Sequence, residues 1–326
     1  ARTSDNGAIV LDLLTGSLTV NQPIATDGAG NIRLSTADTG QDIALNAVVH
    51  SAARNITIIA EGNITQMAAG NIISGGTLDL EARTGSVLMD NGALSGTFGG
   101  AVRILAAQEV RLGGLLSPNG NVSVNAIAGS IVSAGGDHRD ISAAQARLSA
   151  GDGVGLAGDH LKTSLVSVSA RATSGGVYVA DSDDLAVDAI GAITVSRVAS
   201  NGTTPSSMRQ SDPAQTEVRT TAGNGNIVLT TLNGQLTLNQ AVVAHGSGNI
   251  RLESGSTAAN DKDVAVKAAV TSGPGSITIL ANRDITQNVV GDIRTAGGTV
   301  DLASLNGSVT MANGALTSAG SGAIRI

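Results

Sequence analysis

The chain has 326 residues and is 41% hydrophobic, yet it carries one Tyr, one Phe, no Trp and no Cys. That excludes a globular core anchored on aromatic rings and any disulfide or thiolate–metal chemistry. The formal net charge is −7 with only three lysines, Lys162, Lys262 and Lys267, which argues against nucleic acid, a partner held by clustered Lys and Arg. No apolar run approaches the roughly 20 residues of a membrane helix, and Ala1-Arg2-Thr3-Ser4-Asp5 does not resemble a signal peptide.

From the N-terminus the chain reads as short apolar-alternating segments bounded by Gly, Asn, Asp and Ser. Ile9/Leu11 is followed by Leu18/Val20 and Ile24. Ile32/Leu34 is followed by Ile43/Leu45 and Val49. Ile56/Ile58 is followed by Ile64 and Ile72. Period-2 alternation of β-branched residues between turn residues is the strand-and-turn signature. The first apolar residues of each group are Ile9, Ile32, Ile56, Leu78, Val102, Val122, Leu148, Val166, Ile193, Ile227, Ile250, Ile277, Val300 and Ile324. Their spacing is about 23 residues, in the range of solenoids.

After Leu105 the pattern loosens. Ser117–Asn121 reads as a turn and Asp137-His138-Arg139-Asp140 as a charged corner. Asp159, His160 and Lys162 follow, then Asp181, Asp183 and Asp184. From Ile193 to Ile227 the spacing widens to 34 residues, with Pro205 and Pro213 inside. Residues 199–222 are therefore expected to be a protruding loop, with Pro205, Met208, Arg209 and Pro213 as its candidate interaction residues. Such a loop should be cut first by proteases and should tolerate shortening.

At residue 226 the opening returns. Gly30-Asn31-Ile32-Arg33-Leu34 reappears as Gly248-Asn249-Ile250-Arg251-Leu252, and Ile64-Thr65-Gln66 as Ile285-Thr286-Gln287. Asn91-Gly92-Ala93-Leu94 reappears as Asn313-Gly314-Ala315-Leu316. Residues 8–104 and 226–326 are two copies of one block, offset by 218 residues at first and 222 at the end. The part between, 105–225, occurs once.

Three short strands per turn of about 23 residues describe a triangular parallel β-helix, each strand bonded to its equivalents one coil above and below. The fold class is all-β, and residues 1–326 read as one continuous β-solenoid section. Solenoid ends expose unpaired backbone and need caps. None is evident here, so both ends are expected to be covered, by more of the same chain or by stacked subunits.

Candidate chemistry is sparse. Asp181, Asp183 and Asp184 are weak Ca²⁺ candidates, since Ca²⁺ takes several carboxylate oxygens, but a solvated acidic turn accounts for them as well. Asp137 to Asp140 are adjacent and point in different directions. His50 and His245 are not equivalent under the repeat. No nucleophile elbow, zinc-helix or phosphate-loop motif occurs. Asn31, Asn55, Asn63 and Asn249 stand at coil corners, where stacked amides can hydrogen-bond from coil to coil; they read as fold-forming. No catalytic residue, cofactor or firm metal site is expected.

Gly30-Asn31-Ile32-Arg33-Leu34, the run Arg54 to Gln66 and Gly297-Gly298-Thr299-Val300-Asp301-Leu302 resemble the repeats of filamentous-haemagglutinin-like exoproteins. These are large bacterial surface proteins, many exported by two-partner secretion. The resemblance spans most of the chain and implies a right-handed parallel β-helix serving as an adhesive or structural fibre. The expected function is a section of a giant secreted or cell-surface fibre, a rod of tandem repeats of about 220 residues. Its expected partners are further copies of the repeat, and a host or neighbouring-cell surface or matrix polysaccharide, without membrane insertion of this section. A β-helical polysaccharide-active enzyme or a surface-binding solenoid are the alternatives. The first lacks aromatic platforms for sugars, and the second lacks one polar motif repeated on every coil.

Overall fold

In the computed structural model, which describes residues 1–255 and 262–326, each short apolar run forms a strand. The coil strands pair in parallel with their counterparts one coil away, and one two-stranded antiparallel pair stands apart from them. The fold is a parallel β-solenoid with about 23 residues per turn and three strands per coil. The chain divides into two compact units, Ala1–Arg147 with Gly191–Ala214, and Leu148–Ile190 with Gln215–Ile326.

In the first unit the long face is built of five-residue strands: Ile9–Leu13, Ile32–Thr36, Ile56–Ala60, Leu78–Ala82 and Val102–Ala106. Their register runs Ile9↔Ile32↔Ile56↔Leu78↔Val102↔Val122. The second face is a six-stranded sheet of three-residue strands, from Leu18–Val20 to Ile131–Ser133. A third face includes Ile24–Thr26, Val49–Ser51, Ile72–Ser74 and Ser95–Thr97. Alternate residues point inward, and Ile32, Leu34, Ile43, Leu45, Ile56 and Ile58 are wholly buried. The narrow interior holds branched aliphatic chains in stacked rows. Dispersion and desolvation hold the coils together there, and the backbone bonds run between coils.

The second unit repeats this arrangement. Its long face holds Val177–Asp181, Ile227–Thr231, Ile250–Ser254, Ile277–Ala281, Val300–Ser304 and Ile324–Arg325. The register is Val177↔Ile227↔Ile250↔Ile277↔Val300↔Ile324. Equivalent backbone bonds recur in the two copies. Ile32 N–H donates to Asn55 O at 3.0 Å and Ile250 N–H to Ser276 O at 2.9 Å.

Two expected coil starts are corrected. Val166 is exposed and sits mid-way along Leu161–Ala172, a twelve-residue strand. That strand pairs with the long face at Leu161↔Val179, the second face at Val168↔Val187 and the third at Ala170↔Val218. It turns through a coil without punctuating turns, and Val166 faces outward where it leaves the long face. The long-face position belongs to Val177. Ile193 belongs to no coil, as described below.

The interior also carries polar residues. At the corner before the long face, Thr26 Oγ1 and Ser51 Oγ donate to Gly30 O at 2.8 and 2.7 Å. In the second unit Ser272 Oγ donates to Gly248 O at 2.7 Å. Each hydroxyl satisfies a turn carbonyl that the tight corner removes from the strand bonding. A Cβ at Gly30 would lie 2.3 Å from Gly7 O, and one at Gly248 would lie 2.2 Å from Gly225 O, so only glycine passes this corner.

Candidate functional site

Residues 191–214 leave the coils and lie back along the long face of the first unit. Ile193–Val195 pairs antiparallel with Gln210–Asp212, so the segment is a hairpin, and its ascending arm continues to a tip at Ala199–Thr203. The tip is closed by Gly202 N–H to Ala199 O at 2.9 Å and Ala199 N–H to Thr203 O at 2.8 Å. Gly202 has φ +80 there, and a Cβ on it would sit 2.7 Å from Ala8 Cβ. Both ends leave from a closed neck, where Ile190 and Gln215 exchange backbone bonds of 2.8 and 2.9 Å. We call this hairpin the strap.

The expected protruding loop over 199–222 is thus corrected. Ile193, Val195, Arg197, Val198 and Ala199 are buried. Beyond the neck, Val218–Thr220 is a third-face strand of the second unit. The alternation Ile193-Thr194-Val195 is that of a half-buried strand, and the face it covers is the outside of a sheet.

The strap is recognised by outward residues of successive coils. Asn31 Nδ2 donates to Gly202 O at 2.9 Å and Arg33 Nη1 to Val198 O at 3.0 Å. Thr57 Oγ1 accepts from Val198 N–H, and Thr77 Oγ1 from Ser196 N–H, both at 2.9 Å. Asp79, fully buried, accepts from Arg103 Nη1 at 3.0 Å and Arg197 Nε at 2.7 Å. Arg197 also binds Glu81. Arg103 Nε turns to Asp212 at 3.1 Å, and Ser123 Oγ donates to the other Asp212 oxygen at 2.6 Å. Arg147 Nε closes the row on Pro213 O at 2.9 Å.

This is a desolvated network of carboxylates and guanidiniums in alternation. Burial opposes ionisation of Glu81, but Arg197, with Arg83 and Arg103, holds its carboxyl below the usual range. Burial likewise works against the charge of Arg103 and Arg197, yet Asp79 and the other carboxylates raise both guanidiniums further. Glu81, Arg103 and Arg197 are thereby favoured in their charged forms. What the arrangement does chemically is hold an extended segment by charge-assisted bonds at set heights along the sheet.

The interaction candidates fall on the strap's outer side. Pro205 precedes a 3₁₀ turn, Ser206–Met208, Met208 N–H donates to Pro205 O at 3.0 Å, and Arg209 is exposed. The Pro213 ring is exposed while its carbonyl holds Arg147.

The three aspartates proposed for Ca²⁺ are each engaged elsewhere. Asp181 is buried and accepts from Thr163 Oγ1, Leu165 N–H and Asp183 N–H at 2.6, 3.0 and 2.9 Å. Burial pushes its carboxyl up against those bonds. Asp183 binds Ser164 and Ser182, and Asp184 accepts from Gln235 N–H one coil away. The Ca²⁺ reading is corrected accordingly: among the described residues no cluster of three or more metal-ligating side chains occurs.

The corner asparagines carry bonds between coils. Asn31 Oδ1 accepts from both nitrogens of Asn55 at 3.2 Å, and Asn55 Oδ1 accepts from Thr77 N–H at 2.8 Å. Asn63 donates twice to Asp42 and accepts from Ser86 N–H at 2.9 Å. Asn249 bridges Asn226 and Ser276. The columns mix Asn with Asp, Ser and Thr.

Sequence reasoning missed the ionic residues Asp79, Glu81, Arg103, Arg197 and Asp212. It also missed buried Gln66, whose amide bonds Leu94 O at 3.0 Å and Ser95 Oγ at 2.7 Å. Gln287 repeats this with Leu316 O and Thr317 Oγ1 at 3.0 and 2.9 Å. The signal for Gln66 was its recurrence; for Arg197 it was a charge inside an apolar run.

No protein-family model, curated protein or solved structure matches the chain.

Proposed function

We propose that this chain is a structural and adhesive section of a large extracellular bacterial fibre built from tandem repeats of about 220 residues. The observation that carries the reading is that the two copies of the long repeat fold alike. They share strand lengths, register and corner bonds at equivalent residues. A unit that rebuilds its own geometry after about 220 residues is suited to indefinite extension. The likeness of its Gly-Asn-Ile-Arg-Leu coils to filamentous-haemagglutinin-like exoproteins points the same way. Its partners on this reading are further copies of the repeat and a cell surface or matrix polysaccharide.

The test is immunogold labelling of intact source cells with an antibody to residues 226–326, with cell attachment compared before and after deletion of the gene. Surface label on extended filaments and reduced attachment are expected. Label confined to the cell interior would overturn the proposal.

A further inference from the structure

The long face of the second copy repeats the strap-binding row of the first, with no strap upon it. Asn249, Arg251, Thr278, Thr299, Asp301 and Arg325 stand where Asn31, Arg33, Thr57, Thr77, Asp79 and Arg103 stand in the first copy, identical in type at every position. The register agrees: Arg33↔Thr57↔Asp79↔Arg103 in one, Arg251↔Thr278↔Asp301↔Arg325 in the other. In the first copy the Asp79 side chain is 0% exposed; in the second, Asp301 is 28% exposed.

We propose that this face is a docking site for a second strap, an extended hairpin with the chemistry of residues 191–214 supplied by another copy of that segment. The unoccupied groups are disposed to receive it. Arg251 uses Nε and Nη2 on Glu253, which leaves Nη1, the atom that Arg33 gives to Val198 O. Thr299 Oγ1 donates to Ser276 Oγ at 3.1 Å, as Thr77 Oγ1 donates to Asn55 at 2.9 Å, so its lone pairs point to an incoming N–H.

The ion pair differs in one way that docking explains. Arg325 grips both oxygens of Asp301, Nε to Oδ1 at 2.7 Å and Nη2 to Oδ2 at 2.6 Å. Under the strap Arg103 holds one oxygen of Asp79, Arg197 takes the other, and Arg103 Nε moves to Asp212. Docking thus exchanges one arginine–carboxylate bond for two that cross the interface. Ala303 replaces Glu81, so the second site binds Arg197 through Asp301 without the second carboxylate, and residues 226–326 hold no counterpart of Ser123 or Arg147.

The test uses the full 326-residue chain and a fluorescent synthetic peptide of residues 191–214 carrying a photo-crosslinker at Ser196, the residue that meets Thr77 in the first copy. Saturable anisotropy is expected, with crosslinks mapping to 277–304. Asp301→Ala in the chain, or Arg197→Ala in the peptide, should each weaken binding by about tenfold. Thr278→Ala, which leaves the ion pair intact, should weaken it less but measurably. Absence of saturable binding, binding indifferent to all three substitutions, or crosslinks confined to 56–82 would overturn the proposal.

Discussion

Asp79 has no contact with water and two guanidiniums in contact with it. Removing one partner from such a pair strands the other charge, which commonly costs more than the pair contributes. Arg197→Ala is therefore expected to destabilise the first unit by about 3–5 kcal/mol in chemical denaturation. Arg197→Lys should recover little, because a single ammonium cannot span Asp79 and Glu81. Glu81 adds a pH signature. Its folded carboxyl titrates below its ordinary value of 4.5. Its contribution is complete above that value and disappears as pH falls through the lower folded one. The stability gap between wild type and Glu81→Gln should be open at neutral pH and closed in strong acid; a gap independent of pH would refute the assignment. None of these roles was legible in the sequence. Arg197 meets its carboxylate 118 residues away and Asp212 meets Arg103 at 109, and no periodicity links such partners.

The coil strands were legible because inward positions alternate and recur. Ile32, Ile56, Leu78 and Val102 stack as the spacing implies. The strap misled for a physical reason. A hairpin lying on a sheet buries every second residue, so Ile193-Thr194-Val195 carries the same pattern as a coil strand. Leu161–Ala172 misled oppositely, bending through three faces without the glycine that marks corners elsewhere. Packing decides how the strap behaves toward proteases. Within it, trypsin should cleave after exposed Arg209 and not after buried Arg197. Peptide mapping of a timed digest would check this, and early cleavage at Arg197 would mean that the strap is not seated.

At the scale of the whole molecule the two copies are an internal comparison: the same coils, one set covered and one bare. Strap burial adds apolar and ionic contact to one long face only, so local opening should be costlier there. Amide hydrogen exchange should be slower in 56–60 and 78–82 than in the equivalent 277–281 and 300–304. Equal protection would show that the strap adds nothing to coil stability. The long repeat itself was fully legible, down to the offsets of its insertions, because identical short strings mark it. That only one copy is covered was not, since coverage depends on a segment outside the repeated block.

Coils of nearly equal length with the same aliphatic interior have a characteristic failure: a strand can pair with the wrong neighbour, a whole coil out, and bury its side chains just as well. The outward row under the strap changes from each coil to the next, Arg33, Thr57, Asp79, Arg103, Ser123 and Arg147 in turn. A chain threaded one coil out would set Arg197 against Thr57 or Arg103 instead of Asp79, and the hairpin would not close. Because the strap follows these coils in the chain and can seat only on finished ones, it works as a late inspection of threading, a key whose teeth fit one order of coils.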